Sequence, residues 1–312
     1  MADPVALAAL ALDAAIGWPA ALYRRTGHPV GAFARLIDGC ERHWNRPSLP
    51  SARRRLAGIG TLALLLLLSV GPALLIQRAM NELPGPVAWP LLALFAWPAL
   101  AQRSLHDHVS AVERALRGGD LPQARTAVGR IVGRDTATLD EAGVVRAAIE
   151  SLSESYCDGV AAPLFWLLAL GLPGVWAYKA VNTADSLIGH REERWRAFGW
   201  AAARMDDALN LIPARIGGVL ICVAGCSGWR TMARDARLHA SPNAGWTEAA
   251  MAGALGLRLA GPIAYDGVMQ DKPWIGRGRA AAGPQDIRRA LRIYRRACLL
   301  LWLIAGGVAW AL

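Results

Sequence analysis

Four groups of polar side chains in this sequence have the residue types and spacing to do chemistry. The first group begins with Gly133-Arg134-Asp135-Thr136 and continues with Glu150, Glu154 and Asp158. These acids recur every fourth residue, so a helix places them on one face. Like charges at this spacing repel by about 0.2–0.5 kcal/mol per pair, which indicates that a cation offsets them. The simpler alternative is a solvated face on which Arg146 pairs with Glu150.

The second and third groups combine bases, acids and amides. They comprise Asn182, Asp185, Arg191, Arg204, Asp206, Asp207, Asn210 and Arg215. On a helix, Asp206 and Asn210 lie one turn apart. Carboxylate and amide oxygens are hard ligands of the kind that Mg²⁺ prefers, so Asp206, Asp207 and Asn210 are a candidate metal site. Ionisable groups beside apolar sequence are expensive, which favours a functional role over helix capping and hydrogen bonds inside a bundle.

The fourth group precedes and follows a helix-like stretch at residues 247–259. Ser241 or Asn243 can cap that helix, and its free N–H groups would then bind an anion. Capping alone is the alternative. Lys272 adds a cation in the rigid turn Lys272-Pro273-Trp274. The sequence lacks the signatures of phosphate loops, dinucleotide folds, zinc proteases and serine hydrolases.

Membrane helices are the elements that must position these groups. The chain has 312 residues, of which 54% are hydrophobic and 19% charged; soluble proteins average about 45–50% and about 25%. A spanning helix needs about 20 apolar residues. We predict spans near 5–23, 56–77, 85–102 and 297–312, with further candidates at 159–178 and 208–229. The expected fold is a single membrane-embedded, all-α domain over residues 1–312, with four or five transmembrane helices and cytoplasmic helical segments that form the active site.

Charge and proline placement refine this topology. Residues 24–55 contain eight arginines against two acids, so this loop should face the cytoplasm. Prolines interrupt the run at 85–102, which should be kinked. If residues 159–178 crossed the bilayer, the basic segment 179–207 would lie outside. We therefore interpret 159–178, which Leu172-Pro173-Gly174 breaks, as a partly re-entrant element that lines a cavity.

The positive balance, formally +10, needs no nucleic-acid partner. Basic loops satisfy the charge rule for membrane proteins and also suit an anionic substrate, and no basic run is interleaved with aromatic residues. The five cysteines form no C-x-x-C pair, which argues against a disulfide framework or a zinc site.

Taken in order, these elements resemble one family, the adenosylcobinamide-phosphate synthases, also called the cobalamin biosynthesis CobD/CbiB family. Seven short segments carry the resemblance: His28-Pro29-Val30, Gly133-Arg134-Asp135-Thr136, 150–159, 179–191, 198–215, 241–246 and 272–276. They extend from near residue 12 to near residue 295. Where the family has Glu-Asn, this chain has Glu154-Ser155, which puts a role for position 155 in doubt.

The resemblance implies an ATP-dependent ligase that joins adenosylcobyric acid to an aminopropanol phosphate, or to a related aminoalcohol or its phosphate. The product would be adenosylcobinamide phosphate. Glu150, Glu154, Asp158 and Asp185 would be catalytic, and one of them would take the ammonium proton. Mg²⁺ would lie at Asp206, Asp207 and Asn210. Phosphate and substrate groups would be held by a third set: Arg134, Lys179, Asn182, Arg191, Arg204, Arg215, Ser241, Asn243 and Lys272.

The resemblance also implies a multi-pass protein of the cell inner membrane, with its active site facing the cytoplasm and with other corrin-pathway enzymes as partners. Three other interpretations stay open. A polytopic transporter should show repeated halves and polar groups inside its spans. A Mg²⁺-dependent membrane transferase of a lipid-linked diphosphate should show a second Asp-rich motif. A non-catalytic scaffold of the corrin pathway would lack turnover.

Overall fold

The computed structural model describes residues 4–265, 268–270 and 272–311. Residues 1–3, at the start of the predicted domain, and Leu312, the last residue of the predicted span 297–312, lie outside the described residues. Within them the chain is mainly helical. The helices are α1 (Val5–Ile16), α2 (Ala20–Thr26), α3 (Pro29–Trp44), α4 (Ser51–Asn81), α5 (Gly85–Ala96), α6 (Gln102–Arg117), α7 (Leu121–Val128), α8 (Glu141–Tyr156), α9 (Ala162–Ile188), α10 (Glu193–Arg196), α11 (Trp200–Leu209), α12 (Leu211–Gly225), α13 (Trp229–Asp235), α14 (Ala244–Leu255) and α15 (Pro284–Ala311).

Short irregular elements connect these helices. Two 3-10 turns cover Trp97–Ala99 and Ala236–Leu238, and a π-helical segment covers Cys157–Ala161. In the described part of the chain, four strands of two or three residues form two antiparallel pairs, which the sequence did not lead us to expect: β1 (Leu259–Ala260) with β4 (Trp274–Ile275), and β2 (Ile263–Tyr265) with β3 (Val268–Gln270).

Among the described residues, three helical runs are long and apolar enough to cross a membrane: Ser51–Asn81, Glu141–Ile188 and Pro284–Ala311. Two bent helix pairs, α1 with the helical stretch Ala20–Trp44 and α11 with α12, would raise the number to five. The expected class, an all-α polytopic membrane protein, is confirmed. The predicted span near 56–77 falls within the first of these runs, and residues 297–311 of the predicted span 297–312 fall within the third.

The predicted span near 85–102 is shorter than expected. Its helix, α5, ends at Ala96 and continues only as a 3-10 turn that contains Pro98. Twelve residues rise about 18 Å, whereas the hydrocarbon core is about 30 Å thick. This helix is therefore too short to cross the bilayer by itself. The span near 5–23 is also interrupted, because α1 stops at Ile16 and the following helical stretch is bent by 103° from it.

The chain divides into two compact units. The first comprises residues 1–101, 162–210 and 305–312. Its core is a cluster of small and branched side chains from α3, α4, α9 and α11, including Ile37, Leu65 and Val181, together with Phe198 from the turn before α11. Large apolar side chains on the other side of α4, such as Leu67 and Leu75, stay exposed, as lipid-facing residues of a span would be.

Helix α9, in the first unit, is broken as expected, and the break lies at Gly171, one residue before Leu172-Pro173-Gly174. Gly171 has φ of +66°, which leaves the backbone locally non-helical. The side chain of Gln77 on α4 compensates, since its Oε1 accepts a hydrogen bond of 2.8 Å from the Leu172 N–H. The non-helical backbone is thus satisfied by a protein side chain, as a broken helix inside a membrane requires.

The second unit comprises residues 102–161 and 211–304. Helices α12, α13 and α8 pack against α14, while α6 packs on α7 and α8. Small residues on α14 allow this close packing, and Ala249, Ala250 and Ala252 are fully buried. This unit contains all four strands, and it holds the polar cavity described below.

Substitution of Gly171 by alanine should destabilise the protein. The new Cβ would lie 2.4 Å from Gln77 Oε1, at a φ that L-residues adopt at a penalty of about 1–2 kcal/mol. We expect a lower thermal midpoint in detergent for Gly171→Ala. Gly71→Ala is the matched control, because a Cβ at Gly71 in α4 meets nothing within 4 Å. An unchanged midpoint for Gly171→Ala would show that the break is not constrained.

Candidate active site

Glu150 on α8 connects three segments of the second unit. One oxygen, Oε2, pairs with the guanidinium of Arg134, and these side chains are only 13% and 10% exposed. The other, Oε1, accepts a hydrogen bond of 2.9 Å from the Ala260 N–H in β1. The alternative in which Arg146 pairs with Glu150 is wrong: Arg146 donates to the Ala280 carbonyl, at 2.8 Å.

The loop that carries Arg134 is held against α8 by specific hydrogen bonds. The Asp140 carboxylate caps α8 by accepting from the Gly143 N–H, at 2.7 Å. Arg125 on α7 donates to the Leu139 carbonyl and Ser151 on α8 donates to the Ile131 carbonyl, each at 2.7 Å. Because both ends of the loop are fixed, Arg134 is positioned before any ligand binds.

Glu248 on α14 is a charged residue of the candidate site that sequence reasoning missed. Its side chain is 6% exposed, and Oε2 lies 3.5 Å from His239 Nε2. Among the described residues, Oε1 is buried without a hydrogen-bond partner. Burial raises the pKa of the Glu248 carboxyl well above its usual range, and Glu150 and Glu154 raise it further, against the opposing charges of Arg134 and Lys272. A lone glutamate within an Ala- and Gly-rich helix was the available signal.

A cavity of about 390 Å³ collects these groups. It brings together four predicted site residues from three segments of the chain, Arg134, Glu150, Glu154 and Lys272, with Glu248 and His239. The described residues that line it are Ile131, Val132, Gly133, Arg134, Glu150, Ser151, Glu154, Ser155, Leu238, His239, Ala240, Glu248, Ala260, Lys272, Pro273 and Ile275. Its volume is in the range of small-molecule sites, about 300–1,000 Å³.

Asp158, expected on the same helix face as Glu150 and Glu154, is not among the described residues that line this cavity. The reason is a change of helix type, since Asp158 lies in the π-helical segment Cys157–Ala161. A π segment rotates the following side chains away from the α-helical spacing. Ser155, where the family has an amide, does line the cavity.

Lys272 reaches the cavity through a constrained backbone turn. Trp274, two residues on, pairs with Ala260 in the β1–β4 ladder. The Gly276 N–H donates to a buried Asp235 oxygen, at 2.9 Å, and Gly276 has φ of +89°. Arg234 holds the pKa of the Asp235 carboxyl below its usual value, so this anchor is ionised at neutral pH.

The sequence left open whether Ser241 or Asn243 caps α14, and the structure assigns the cap to Ser241. The Ser241 hydroxyl accepts from the Asn243 and Ala244 N–H groups, at 3.2 and 3.3 Å, and so supplies the side-chain cap at the start of α14. Asn243 makes no capping hydrogen bond; its Oδ1 accepts from Arg215, at 2.9 Å. Ser241 and Asn243 follow directly along the chain from His239 and Ala240, which line the cavity.

The predicted metal residues belong to a buried network in the first unit. Asn182 and Asn210 each donate an amide N–H to Asp206, at 3.3 and 2.9 Å, and Tyr178 donates to Asn210 Oδ1, at 3.0 Å. Asp207 is partly exposed, and one of its oxygens lies 3.6 Å from Arg204. The described residues contain no group of three or more His, Cys, Asp or Glu arranged around a metal position. The role of these residues as ligands stays a prediction.

The remaining predicted residues of the first unit are Lys179, Asp185 and Arg191. Lys179 and Asp185 lie on α9, and Arg191 follows it. The backbone carbonyls of Lys179 and Asp185 accept from the Thr183 hydroxyl and the Gly189 N–H, each at 2.7 Å. Their catalytic or binding roles also stay predictions.

The arrangement in the second unit suits a small molecule with charges of both signs. Three carboxyl groups, of Glu150, Glu154 and Glu248, line the same cavity as the cationic Arg134 and Lys272. The acids can hold an ammonium group and the bases can hold a phosphate. A cation near Glu248 would also satisfy the buried oxygen that has no hydrogen-bond partner among the described residues.

The fold defines a polytopic helical membrane protein, and its second unit contains a polar cavity of small-molecule size. A family described as "CobD/Cbib protein" matches residues 6–294. The chain is 49% identical over 307 residues to a "Cobalamin biosynthesis protein CobD" of Rhodobacter capsulatus, with 96% of this chain and 95% of the relative covered. A protein of the same name from Sinorhizobium sp is 46% identical, with 94% of this chain and 94% of the relative covered. Another from Brucella suis is 44% identical, with 92% of this chain and 90% of the relative covered. No solved structure matches the chain.

The chain therefore belongs to the CobD/CbiB family of cobalamin biosynthesis proteins. The matched residues cover most of both units, and the resemblance found in the seven short segments is confirmed. The family places the protein in cobalamin biosynthesis. The polar cavity is the candidate active site for its step in that pathway.

Glu248→Gln should change how stability depends on pH. A carboxyl whose pKa is raised by folding contributes stability that is fully present below its unfolded value of about 4.3, and this contribution is lost as pH rises through the folded pKa. Between pH 5 and 8 the wild type should therefore lose stability with a slope of up to about 1.4 kcal/mol per pH unit that the variant lacks.

Thermal midpoints in detergent across that pH range measure the difference. Glu141→Gln, an exposed change at the start of the neighbouring α8, is the control and should keep the wild-type slope. If the thermal midpoints of wild type and Glu248→Gln change with pH in parallel, folding does not raise the pKa of Glu248.

Proposed function

We propose that the protein catalyses ATP-dependent amide ligation. A carboxylate of adenosylcobyric acid is joined to the amine of an aminopropanol phosphate, or of a related aminoalcohol or its phosphate, and adenosylcobinamide phosphate is formed. The observation that carries the proposal is the cavity in which three carboxyl groups face two cations, in a chain of a cobalamin biosynthesis family. An aminoalcohol phosphate has this same pairing of an ammonium and a phosphate.

In this proposal the aminoalcohol phosphate binds with its charges matched to the walls of the cavity. Glu154 and Glu248 receive the ammonium group, while Lys272 and Arg134 receive the phosphate. The cavity of about 390 Å³ suits this small substrate. A corrinoid is far larger, so only its reacting side chain would enter. Ser241, Asn243 and Arg215, beside the cavity wall, are proposed to extend the phosphate site.

The amine must lose a proton before it can attack an activated carboxyl group. We assign this role to Glu248, whose pKa is raised by burial and by its acidic neighbours. An ammonium group in the cavity favours the ionised carboxylate. Glu248 can then accept a proton from the nitrogen, and the neutral amine forms the new C–N bond as the phosphate of an acyl phosphate departs.

ATP would supply that activation, and Mg²⁺ would offset the phosphate charge. Both Asp206 oxygens already accept amide N–H groups, so Asp207, which is partly exposed, is the more accessible ligand. Arg191 and Arg204 are proposed to neutralise the nucleotide phosphates. Lys179, Asn182, Asp185 and Asp158 are carried forward as proposed contacts of the same reaction.

We further propose that the protein lies in the cell inner membrane with the site facing the cytoplasm. The support is the distribution of charge, since residues 24–55 contain eight arginines and two acids. ATP and the corrinoid would reach the site from that side, and other corrin-pathway enzymes would deliver or accept the substrates.

The first test is turnover by purified protein with adenosylcobyric acid, ATP, Mg²⁺ and an aminoalcohol phosphate. Lys272→Met should raise the KM for the phosphorylated aminoalcohol about tenfold or more, because a hydrogen bond to a charged group is worth about 1.5–3 kcal/mol. The KM for the unphosphorylated aminoalcohol should not change. Lys272→Arg should restore part of the loss.

Glu154→Gln should raise the KM for both aminoalcohols, since both carry the ammonium group, and Glu141→Gln should raise neither. No turnover by the wild type with any aminoalcohol would contradict the ligase and favour a scaffold, a transporter or a transferase. If Lys272→Met raises the KM equally for both aminoalcohols, the phosphate binds elsewhere.

The metal proposal has its own test. Asp207→Asn should abolish turnover at saturating Mg²⁺ while the protein stays folded, because a carboxylate ligand is replaced by a neutral amide. Asp38→Asn is the control, since Asp38 forms an exposed pair with Arg42 on α3. Near-normal turnover of Asp207→Asn would mean that Asp206 and Asp207 are structural.

A further inference from the structure

A second cleft in the second unit is strongly basic and shares no lining residue with the polar cavity. Its volume is about 680 Å³, and its wall contains five arginines and one carboxylate. The charged residues and the histidine that line it are His106, Arg279, Asp286, Arg288, Arg289, Arg292 and Arg295. The ligase reaction as proposed above uses none of them.

The arginines form a stripe along the beginning of α15. Arg288, Arg292 and Arg295 are all exposed and are spaced by four and then three residues, so they share one helix face. Their side chains therefore lie on the same side of α15. Repulsion between like charges at this spacing must be offset by a bound anion or by solvent.

The acids of the unit neutralise only part of this charge. Buried Asp286 pairs with Arg279 and lies 3.4 Å from Arg289, and Arg288 lies 3.3 Å from Glu113. In the part of the chain that the structure describes, neither Arg292 nor Arg295 has a carboxylate oxygen within 4.0 Å. The cleft thus presents two guanidinium groups without an acidic partner among those residues.

The same helix face becomes apolar immediately beyond Arg295. Residues 297–311 carry no charge, and Leu299 and Leu303, at the next positions of the stripe, are 59% and 64% exposed. These residues belong to a helix that can cross a membrane. Arg295 precedes Leu299 by about 6 Å and Arg292 by about 10 Å along the axis. The interfacial layer outside the hydrocarbon core is about 5–8 Å thick on each side, so both arginines lie at headgroup depth when Leu299 lies about 2–6 Å inside the hydrocarbon core.

We propose that this cleft is a binding site for the headgroup phosphate of anionic phospholipids. The planar guanidinium groups of Arg292 and Arg295 bind the phosphate oxygens, as arginine forks do, while Leu299 and Leu303 contact the acyl chains. A free phosphate or a nucleotide would use the arginines but would leave the apolar part of the stripe without a ligand. The continuity of the basic and apolar parts therefore favours a lipid.

The full-length protein in a neutral maltoside detergent provides the test. Dioleoyl phosphatidylglycerol and dioleoyl phosphatidylcholine are added in separate titrations, and the thermal midpoint is followed. Phosphatidylglycerol should raise the midpoint of the wild type at lower lipid concentration than phosphatidylcholine. Arg292→Gln/Arg295→Gln should weaken binding of phosphatidylglycerol about fivefold per arginine, or about thirtyfold together.

The matched control is Arg114→Gln/Arg117→Gln, which removes the same charge from exposed positions of α6. It should keep the wild-type titration. Equal responses to the two lipids, or equal losses in the two double variants, would overturn the proposal. Saturation of the wild-type response by inorganic phosphate or ATP, without lipid, would also overturn it in favour of a soluble anion.

Native mass spectrometry of the wild type supplies a measurement that does not depend on the variants folding. Protein exchanged into an equimolar mixture of the two lipids should retain phosphatidylglycerol in excess. Retention of both lipids in equal amounts would contradict a headgroup site. Turnover of Arg292→Gln/Arg295→Gln, assayed in detergent, should remain, so failure of this proposal and failure of the ligase proposal can be told apart.

Discussion

The second unit depends on one carboxylate, that of Glu150. It is nearly buried, so each of its oxygens requires a partner, and the partners come from distant parts of the chain: Arg134 from the loop before α8, and the Ala260 N–H from β1. Removal of one member of a buried ion pair typically costs about 3–5 kcal/mol, because the other charge is left uncompensated. Since β1 pairs with β4, the same contact fixes the turn that presents Lys272. The position of one acid thus determines where the cations of the cavity lie.

Charge balance explains why this cavity is suited to a ligand. Glu248 is buried beside Glu150 and Glu154, and burial together with these neighbours favours its protonated form. Arg134 is already paired with Glu150. A ligand that brings an ammonium group to the acids and a phosphate to Lys272 relieves both imbalances at once. Groups whose environments move their pKa values apart are where acid and base roles are found in enzymes.

The sequence predicted more of the membrane architecture than of the site. The uncharged run at 56–77 was sufficient to predict α4, and Pro173 with Gly174 indicated the break in α9. The shortness of α5 and the strand pairs could not be predicted, because they depend on tertiary contacts. Arg134, Glu150 and Lys272 were found from short motifs. The loss of Asp158 from the cavity wall reflects a π-helical segment that helical spacing alone does not reveal, and Glu248 lies in no polar motif.

The wide separation of the cavity residues along the chain also explains why the family resemblance rests on short segments. Each segment contributes one or two contacts: Arg134 from a loop, Glu150 and Glu154 from α8, and Lys272 from the turn before β4. Between these segments the chain needs only apolar helix, for which many sequences serve equally well. A site assembled in this way depends on the order and spacing of its segments, which identified the family, while its geometry depends on contacts such as that of Glu150 with the Ala260 N–H, which only the folded chain brings together.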